Sequence, residues 1–324
     1  MNSQKRIVII GAGMAGIACA LRLKDAGIAP VVYEKSNQLG GRMSTRVFEG
    51  GFSFDHGAQF FRAKGDSFAK FVSKLEDKNH ASVWNAISRS KPTEKEHPMM
   101  VGVPAMNELL KPISLELDIQ LGKRVETVEK FRAGYKLKIE NSNKIEIFDY
   151  VVSTIPVAQA RQLFHNEKAI LDKCAKVSLL PCWAGLFGFK EKLNCDFDTW
   201  RHVNFDIGWI ARNSSKPDRD QSKDCWVLHA SPEWTLDNLE RDKSEVAIEL
   251  FHKFKTAMDI EMPQPEHIDA HRWRYAQTSE PLQTPFVTND DCTVLVGGDW
   301  CLGARVEAAF DSGSAIADEI LNKV

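Results

Sequence analysis

Gly11, Gly13 and Gly16 stand in the hexapeptide GAGMAG with the spacing Gly-x-Gly-x-x-Gly. That spacing suits a phosphate. The first glycine permits a tight turn, the second lets backbone approach a diphosphate and the third lets a helix pack on a strand, while the helix N-terminus offers its unpaired N–H groups to the anion. Glu34 follows where a carboxylate would accept both hydroxyls of an adenosine ribose. A 2′-phosphate would be repelled there, so the residues point to an NAD- or FAD-type dinucleotide rather than NADP at this site. Gly40 and Gly41 come next, and a glycine pair lets the chain return to the diphosphate, where the guanidinium of Arg42 could pair with it. A second specialised stretch closes the chain: GGDWCLGARVEAAFDSGSAIADEI, from Gly297 to Ile320, joins a Gly-Asp pair to a small-residue helix.

These groups need strands and helices to hold them. RIVII reads as a short buried strand, the residues around Ile17, Ala20, Leu21 and Lys24 as a helix, and PVVYEK as a second strand, which together make a βαβ unit. RVETVEKF, YKLKIE and EIFDYVVSTIP are expected strands, the last ended by Pro156, and AMNELLKPI a short helix. LLPCWAGLFGF and CWVLHAS read as strands of another sheet. RNSSKPDRDQSKD reads as a solvated loop. DNLERDKSEVAIELFHKFKTAM reads as an amphipathic helix with Leu239, Val246, Leu250 and Phe254 on one side. The expected layout is α/β: a discontinuous Rossmann-type dinucleotide domain of residues 1–62, 99–160 and 287–324, with an inserted α+β substrate domain of residues 63–98 and 161–286.

Composition narrows the partner. The 42 Lys and Arg against 44 Asp and Glu give no case for nucleic acid or an anionic membrane, so a small molecule is expected. The seven scattered cysteines form no Cys-x-x-Cys pair and read as free thiols in a reducing compartment, which predicts a cytoplasmic, soluble protein. His267 and His271 are four apart but lack a third ligand, so no metal is expected. Cys301 has no base at nucleophile spacing and reads as packing.

The acid followed by Gly-Gly-Arg, with DHGAQFF (Asp55 to Phe61) after it, resembles the flavin-containing amine oxidase superfamily. GWIARNSSKPDRD, CWVLHASPEWTLDNL, HRWRYAQ and GDWCLGARVEAAFDSG sharpen the resemblance to the bacterial renalase-like proteins over essentially the whole chain. The resemblance implies FAD, with contacts from Gly11, Ala12, Gly13, Met14, Ala15, Gly16, Glu34 and Lys35 in the first βαβ unit. It adds Gly41, Arg42, His56, Gly57 and Ala58, then Val125 at the adenine, Asp299 at the ribityl and diphosphate, and Val306 at the flavin pyrimidine. Gln59, Phe60, Trp273, Arg274 and Arg305 are implied to line the substrate pocket.

Two departures from amine oxidases bear on the reaction. The strand lysine that holds a water near flavin N5 in those enzymes is matched here by Ala184, and an amine-flanking tyrosine is matched by Arg305. An arginine there suits an anionic or carbonyl-bearing substrate and repels a protonated amine. No cysteine comes shortly after the Trp of HRWRYAQTSEP, so noncovalent FAD is expected. The resemblance then implies oxidation of NAD(P)H isomers reduced at ring carbon 2 or 6, with molecular oxygen as the acceptor. Its rivals are amine oxidation and a nonenzymatic flavoprotein.

Overall fold

The run Ile7–Ile10 is buried at every position, as are Tyr150–Ser153 and Val294–Gly297. Strands without a polar face belong inside a parallel sheet covered on both sides. In the computed structural model, which describes residues 5–90 and 97–324, that sheet has six strands. Their order is Phe286–Thr288, Val294–Gly297, Tyr150–Ser153, Ile7–Ile10, Val31–Tyr33, Asp118–Gln120. Only the Phe286–Thr288 edge runs antiparallel to its neighbour.

The helix Met14–Asp25 follows the first strand, and the last helix, Val306–Leu321, lies against it. A Cβ at Gly313 would sit 2.0 Å from the Ala15 carbonyl oxygen, so the small residues of the closing helix permit this approach. A three-stranded antiparallel sheet of Val125–Phe131, Gly134–Ile139 and Ile145–Phe148 belongs to the same unit. The run EIFDYVVSTIP is thus two strands, because Asp149 donates its N–H to Arg6 O and breaks the pairing between two sheets.

The chain divides into two compact units. Met1–Gly41, Leu110–Leu179 and Thr278–Val324 form the first, and Arg42–Leu109 with Leu180–Gln277 the second. The fold is the expected α/β class, a Rossmann-like unit with an inserted α+β unit. The seams differ from the expected ones for reasons of packing. Val157, Ala160, Leu163, Ile170 and Cys174 share one core with Val8, Val151 and Val294, which keeps residues 161–179 in the first unit. Phe52 and Phe54 pack with Leu186, Cys225 and Val227, which takes the segment after Gly41 into the second. Residues 91–96 of the expected 63–98 segment lie outside the described residues.

The second unit is built on a five-stranded sheet in the order Thr199–Arg201, Ile207–Arg212, Asp224–Ala230, Leu179–Phe189, His267–Thr278. Its core joins Trp183, Phe187 and Trp226 to Val246, Leu250 and Phe254 of the helix Lys243–Met258. That helix starts later than the sequence pattern suggests and leaves Leu239 outside it. Asp242 fixes the start by accepting the N–H groups of Ser244 and Glu245.

Candidate functional site

In the first unit the chain leaves Ile10 into Gly11, whose φ of 107° is open to glycine and strained for other residues. Its N–H donates to Tyr33 O at 2.8 Å. Gly16 is required by contact, since a Cβ there would meet Gly11 O at 1.9 Å. Gly13 is different: its nearest neighbour at the Cβ position is Gly40 O at 3.9 Å, and Gly41 lies beside its Cα. The turn therefore presents bare backbone. Gly13 caps the helix with no side-chain bond, and the first turn holds no acid to oppose an anion.

Glu34 is buried and oriented by this turn. Oε2 accepts Ala12 N–H at 2.9 Å and Oε1 accepts Ser36 N–H at 2.8 Å. Each oxygen keeps a further lone pair, which suits two ribose hydroxyls. Lys35 donates to Gln159 Oε1 at 3.1 Å, and burial with the Arg124 charge lowers its pKa. Val125 opens its strand half-buried against the core. Met14 and Ala15 are buried in the first helical turn.

Asp299 is buried and begins a short turn of helix after Gly298, whose φ is 149°. Gly298 N–H donates to Ser312 Oγ, which in turn donates to Pro285 O, so the closing helix holds the Gly-Asp turn. Arg305 is the exposed N-cap residue of that helix, directly before Val306, and its charge reaches Asp311. Glycine backbone, a helix N-terminus and a buried acid thus come together, with Cβ-sized space left at Gly13, a chemistry that suits a dinucleotide.

In the second unit the turn 55–59 is the focus. A Cβ on Gly57 would lie 1.9 Å from Arg42 O, and Ala58 N–H donates to that same oxygen at 2.8 Å. Arg42 Nη1 donates to Ala276 O at 3.3 Å. Trp273 stacks on His56 with ring centroids 5.0 Å apart, and its indole N–H donates to His56 O at 2.9 Å. His271 meets both rings edge-on. Burial, with the His271 and Arg46 charges, pushes His56 down to about 3; burial with Arg46 and Lys243 takes His271 to about 3. Both imidazoles are neutral at pH 7. His267 instead packs among Phe48, Phe52 and Phe54.

The five expected substrate residues separate. Trp273 and Arg274 are neighbours on one strand, so the pleat sends them to opposite faces. Trp273 meets His56, whereas Arg274 makes a bidentate pair with Glu240 at 2.5 and 2.8 Å, joined there by Arg272. Gln59 is buried and internally engaged: Nε2 donates to Asp55 O and to Gly57 O, and Oε1 accepts Lys216 Nζ at 3.3 Å. Phe60 is half-buried beside Trp209, with ring centroids at 5.7 Å, and the guanidiniums of Arg62 and Arg201 lie over its ring. The Trp209 indole N–H is buried and has no partner among the described residues.

RNSSKPDRDQSKD corrects the expectation of a solvated loop. Arg212, Asn213, Ser214, Lys216 and Arg219 are buried. Two carboxylates draw them inward: Asp224, at the end of the stretch, bonds Ser214 and pairs with Arg212, and Asp55, distant in sequence, pairs with Lys216 at 3.0 Å and Arg219 at 2.7 Å. The only cue in the sequence was the basic character of a segment flanked by strands, which does not reveal a buried acid elsewhere.

Residues 9–75 match the NAD(P)-binding Rossmann-like domain, and residues 79–321 match the flavin containing amine oxidoreductase family. Curated relatives match over short stretches. A 15-cis-phytoene desaturase of Synechococcus elongatus is 36% identical over 86 residues, 25% of this chain and 18% of that protein. A 4,4'-diaponeurosporene oxygenase of Staphylococcus haemolyticus is 46% identical over 55 residues, 17% of this chain and 11% of its own length. The matches thus span less than a fifth of either relative. Among solved structures, a provisionally named protoporphyrinogen oxidase from Exiguobacterium sp. 255-15 has a TM-score of 0.80 at 12% identity, covering 99% of this chain and 100% of that one. Wild-type putrescine oxidase bound to putrescine gives 0.70 at 12% identity, covering 99% of both chains. At such identity these likenesses show the fold alone.

Proposed function

This chain belongs to the flavin-containing amine oxidoreductase family and its cofactor is FAD; on that premise we propose that it is a renalase-type oxidase of the 2-dihydro isomer of NAD(P)H, the 6-dihydro isomer or both. The reaction converts the dihydropyridine, O2 and a proton to NAD(P)+ and H2O2. When bound, FAD supplies the hydride acceptor and, through its reoxidation by O2, the route to peroxide.

The observation that carries this reading is the strand Leu179–Phe189. Its sequence LLPCWAGLFGF holds no lysine in any register, so a slip in matching Ala184 changes nothing. The buried Lys216 is no substitute, because its ammonium already donates to Asp55, Gln59 and Asn213. A substrate that gains pyridinium aromaticity as hydride departs needs little acid–base help; it needs stacking and orientation. Phe60 and Trp209 offer aromatic faces beside Arg62 and Arg201, and Trp209 offers a buried indole donor.

The proposed FAD contacts are Gly11, Ala12, Gly13, Met14, Ala15, Gly16, Glu34, Lys35, Gly41, Arg42, His56, Gly57, Ala58, Val125, Asp299 and Val306. Trp273 keeps its proposed place through its hold on His56, and Arg305 orients the carboxamide or a phosphate of the substrate. Gln59 and Arg274 leave the list of direct contacts, since their polar atoms are engaged within the protein.

Anaerobic mixing with each dihydro isomer, and with amines as controls, tests the proposal through flavin bleaching. Bleaching by amines but by neither isomer would overturn it. Arg305→Tyr should keep its FAD and lower kcat/KM for the isomers by about ten- to a hundredfold, the loss of one charge-assisted contact; an unchanged rate at full FAD content removes Arg305 from the site.

A further inference from the structure

We propose that Lys216 is a positioning residue whose ammonium pins both ends of the turn Asp55–Gln59 and thereby sets the surroundings of the cofactor atoms that His56, Gly57 and Ala58 meet. This rests on the assignment of those three residues to FAD. Lys216 is fully buried, and its three donor contacts go to Asp55 Oδ2 at 3.0 Å, Gln59 Oε1 at 3.3 Å and Asn213 Oδ1 at 2.9 Å. The first two partners bracket the turn. The third closes a ring, since Asn213 Oδ1 also accepts Asp55 N–H and Asn213 Nδ2 donates to Ser53 O. Within the turn, Gln59 returns a bond to Asp55 O and another to Gly57 O. One ammonium therefore fixes the turn through side chains at each end.

The surroundings make the pin sensitive to charge. Asp55 approaches from its hairpin strand and accepts Thr45 Oγ1, Met106 N–H and Arg219 Nη2 besides Lys216. Arg219 comes from the same loop as Lys216, the Trp84 ring lies 5.3 Å from Nζ, and His229 feels the Lys216 charge. One carboxylate thus faces two cations. Burial pulls the ammonium down to about 8, against the attraction of Asp55. Above that pH the neutral amine loses its attraction for Asp55, while the Arg219 pair remains. The expected signature is an alkaline change in the bound flavin's absorption, centred near pH 8.

Lys216→Met and Gln59→Met holoproteins test the pin, the second cutting only one end. Hydrogen exchange at Ala58 and Phe61, whose N–H groups bond Arg42 O and Met100 O at 2.8 Å, reads the turn; the strand Ile7–Ile10 is the reference. Both variants should speed exchange at Ala58 by about tenfold, with the reference unchanged. The flavin band should shift, and its transition near pH 8 should vanish in Lys216→Met. Unchanged exchange at Ala58 in the variants that fold overturns the positioning role, as does equal loosening of the reference strand. A loosened turn with an unmoved flavin band and transition keeps Lys216 as the pin and overturns the assignment of residues 56–58 to FAD.

Discussion

In the first unit, the polar contact that orders the dinucleotide turn joins Ala12 to Glu34 across 22 residues, and most of what it presents is backbone. In the second, the turn 55–59 is held by Lys216 across 161 residues and Asp55 is bonded by Arg219 across 164, entirely through side chains. A backbone site depends on the absence of side chains, and Gly11, Gly13 and Gly16 carry that requirement. A side-chain site depends on charge balance in a medium that solvates poorly. The two should fail differently: steric insults damage the first, and changes of charge or pH damage the second.

The largest expected effect follows from removing the carboxylate that two buried cations share. Asp55→Ala leaves Lys216 and Arg219 uncompensated and should cost about 3–5 kcal/mol in a urea unfolding midpoint analysis. A loss under about 1 kcal/mol would show that water reaches the cluster.

Gly16→Ala tests the other region. Its methyl would meet Gly11 O at 1.9 Å, so the helix must shift, at a cost of about 1–3 kcal/mol and with loss of FAD on dialysis. Full retention of FAD would show that the turn yields where the geometry says it is fixed.

Acid should weaken the second unit in two separate pH windows. His56 is buried and held near 3, well below its ordinary value, so between roughly pH 6.5 and 3 the unfolded chain binds a proton that the native chain does not. Stability should therefore fall as pH falls through that window, by about 2 kcal/mol between pH 7 and 5 for this group. His56→Phe should flatten the profile. Asp55 has the same sign in a lower window. Burial alone would raise its carboxyl, but the Lys216 and Arg219 charges with hydrogen bonds from Arg219 and Thr45 hold it well below the usual range. Its stabilisation is present at neutral pH and is lost only in strong acid.

The smallest effect is expected at Arg274. Its pair with Glu240 is exposed, so Arg274→Ala should leave the unfolding midpoint and the FAD content essentially unaltered. A marked fall in kcat/KM would return this residue to the substrate site.

The contrast in sequence separation also explains what could be read in advance. Glycine spacing, the following acid and the apolar strands identify the βαβ unit because each requirement is met within a few residues of the next. The uniformly buried runs at Ile7–Ile10 and Val294–Gly297 likewise declare a covered parallel sheet. Among the described residues no helix is long and apolar enough to cross a membrane, and all seven cysteines are free. Alternation along His267–Thr278 was also available in the sequence, and it separates Trp273 from Arg274 once the strand is recognised.

The tertiary structure alone decided the fate of RNSSKPDRDQSKD. Its composition is that of a solvated loop, and nothing local distinguishes a lysine facing water from one facing Asp55. The physical reason is that burial of a charge is decided by its partner. Glycine geometry is written into the residues that need it, so the dinucleotide turn was determined by the sequence read in order. The partner of Lys216 lies far back along the chain, and only folding brings the two ions within 3.0 Å.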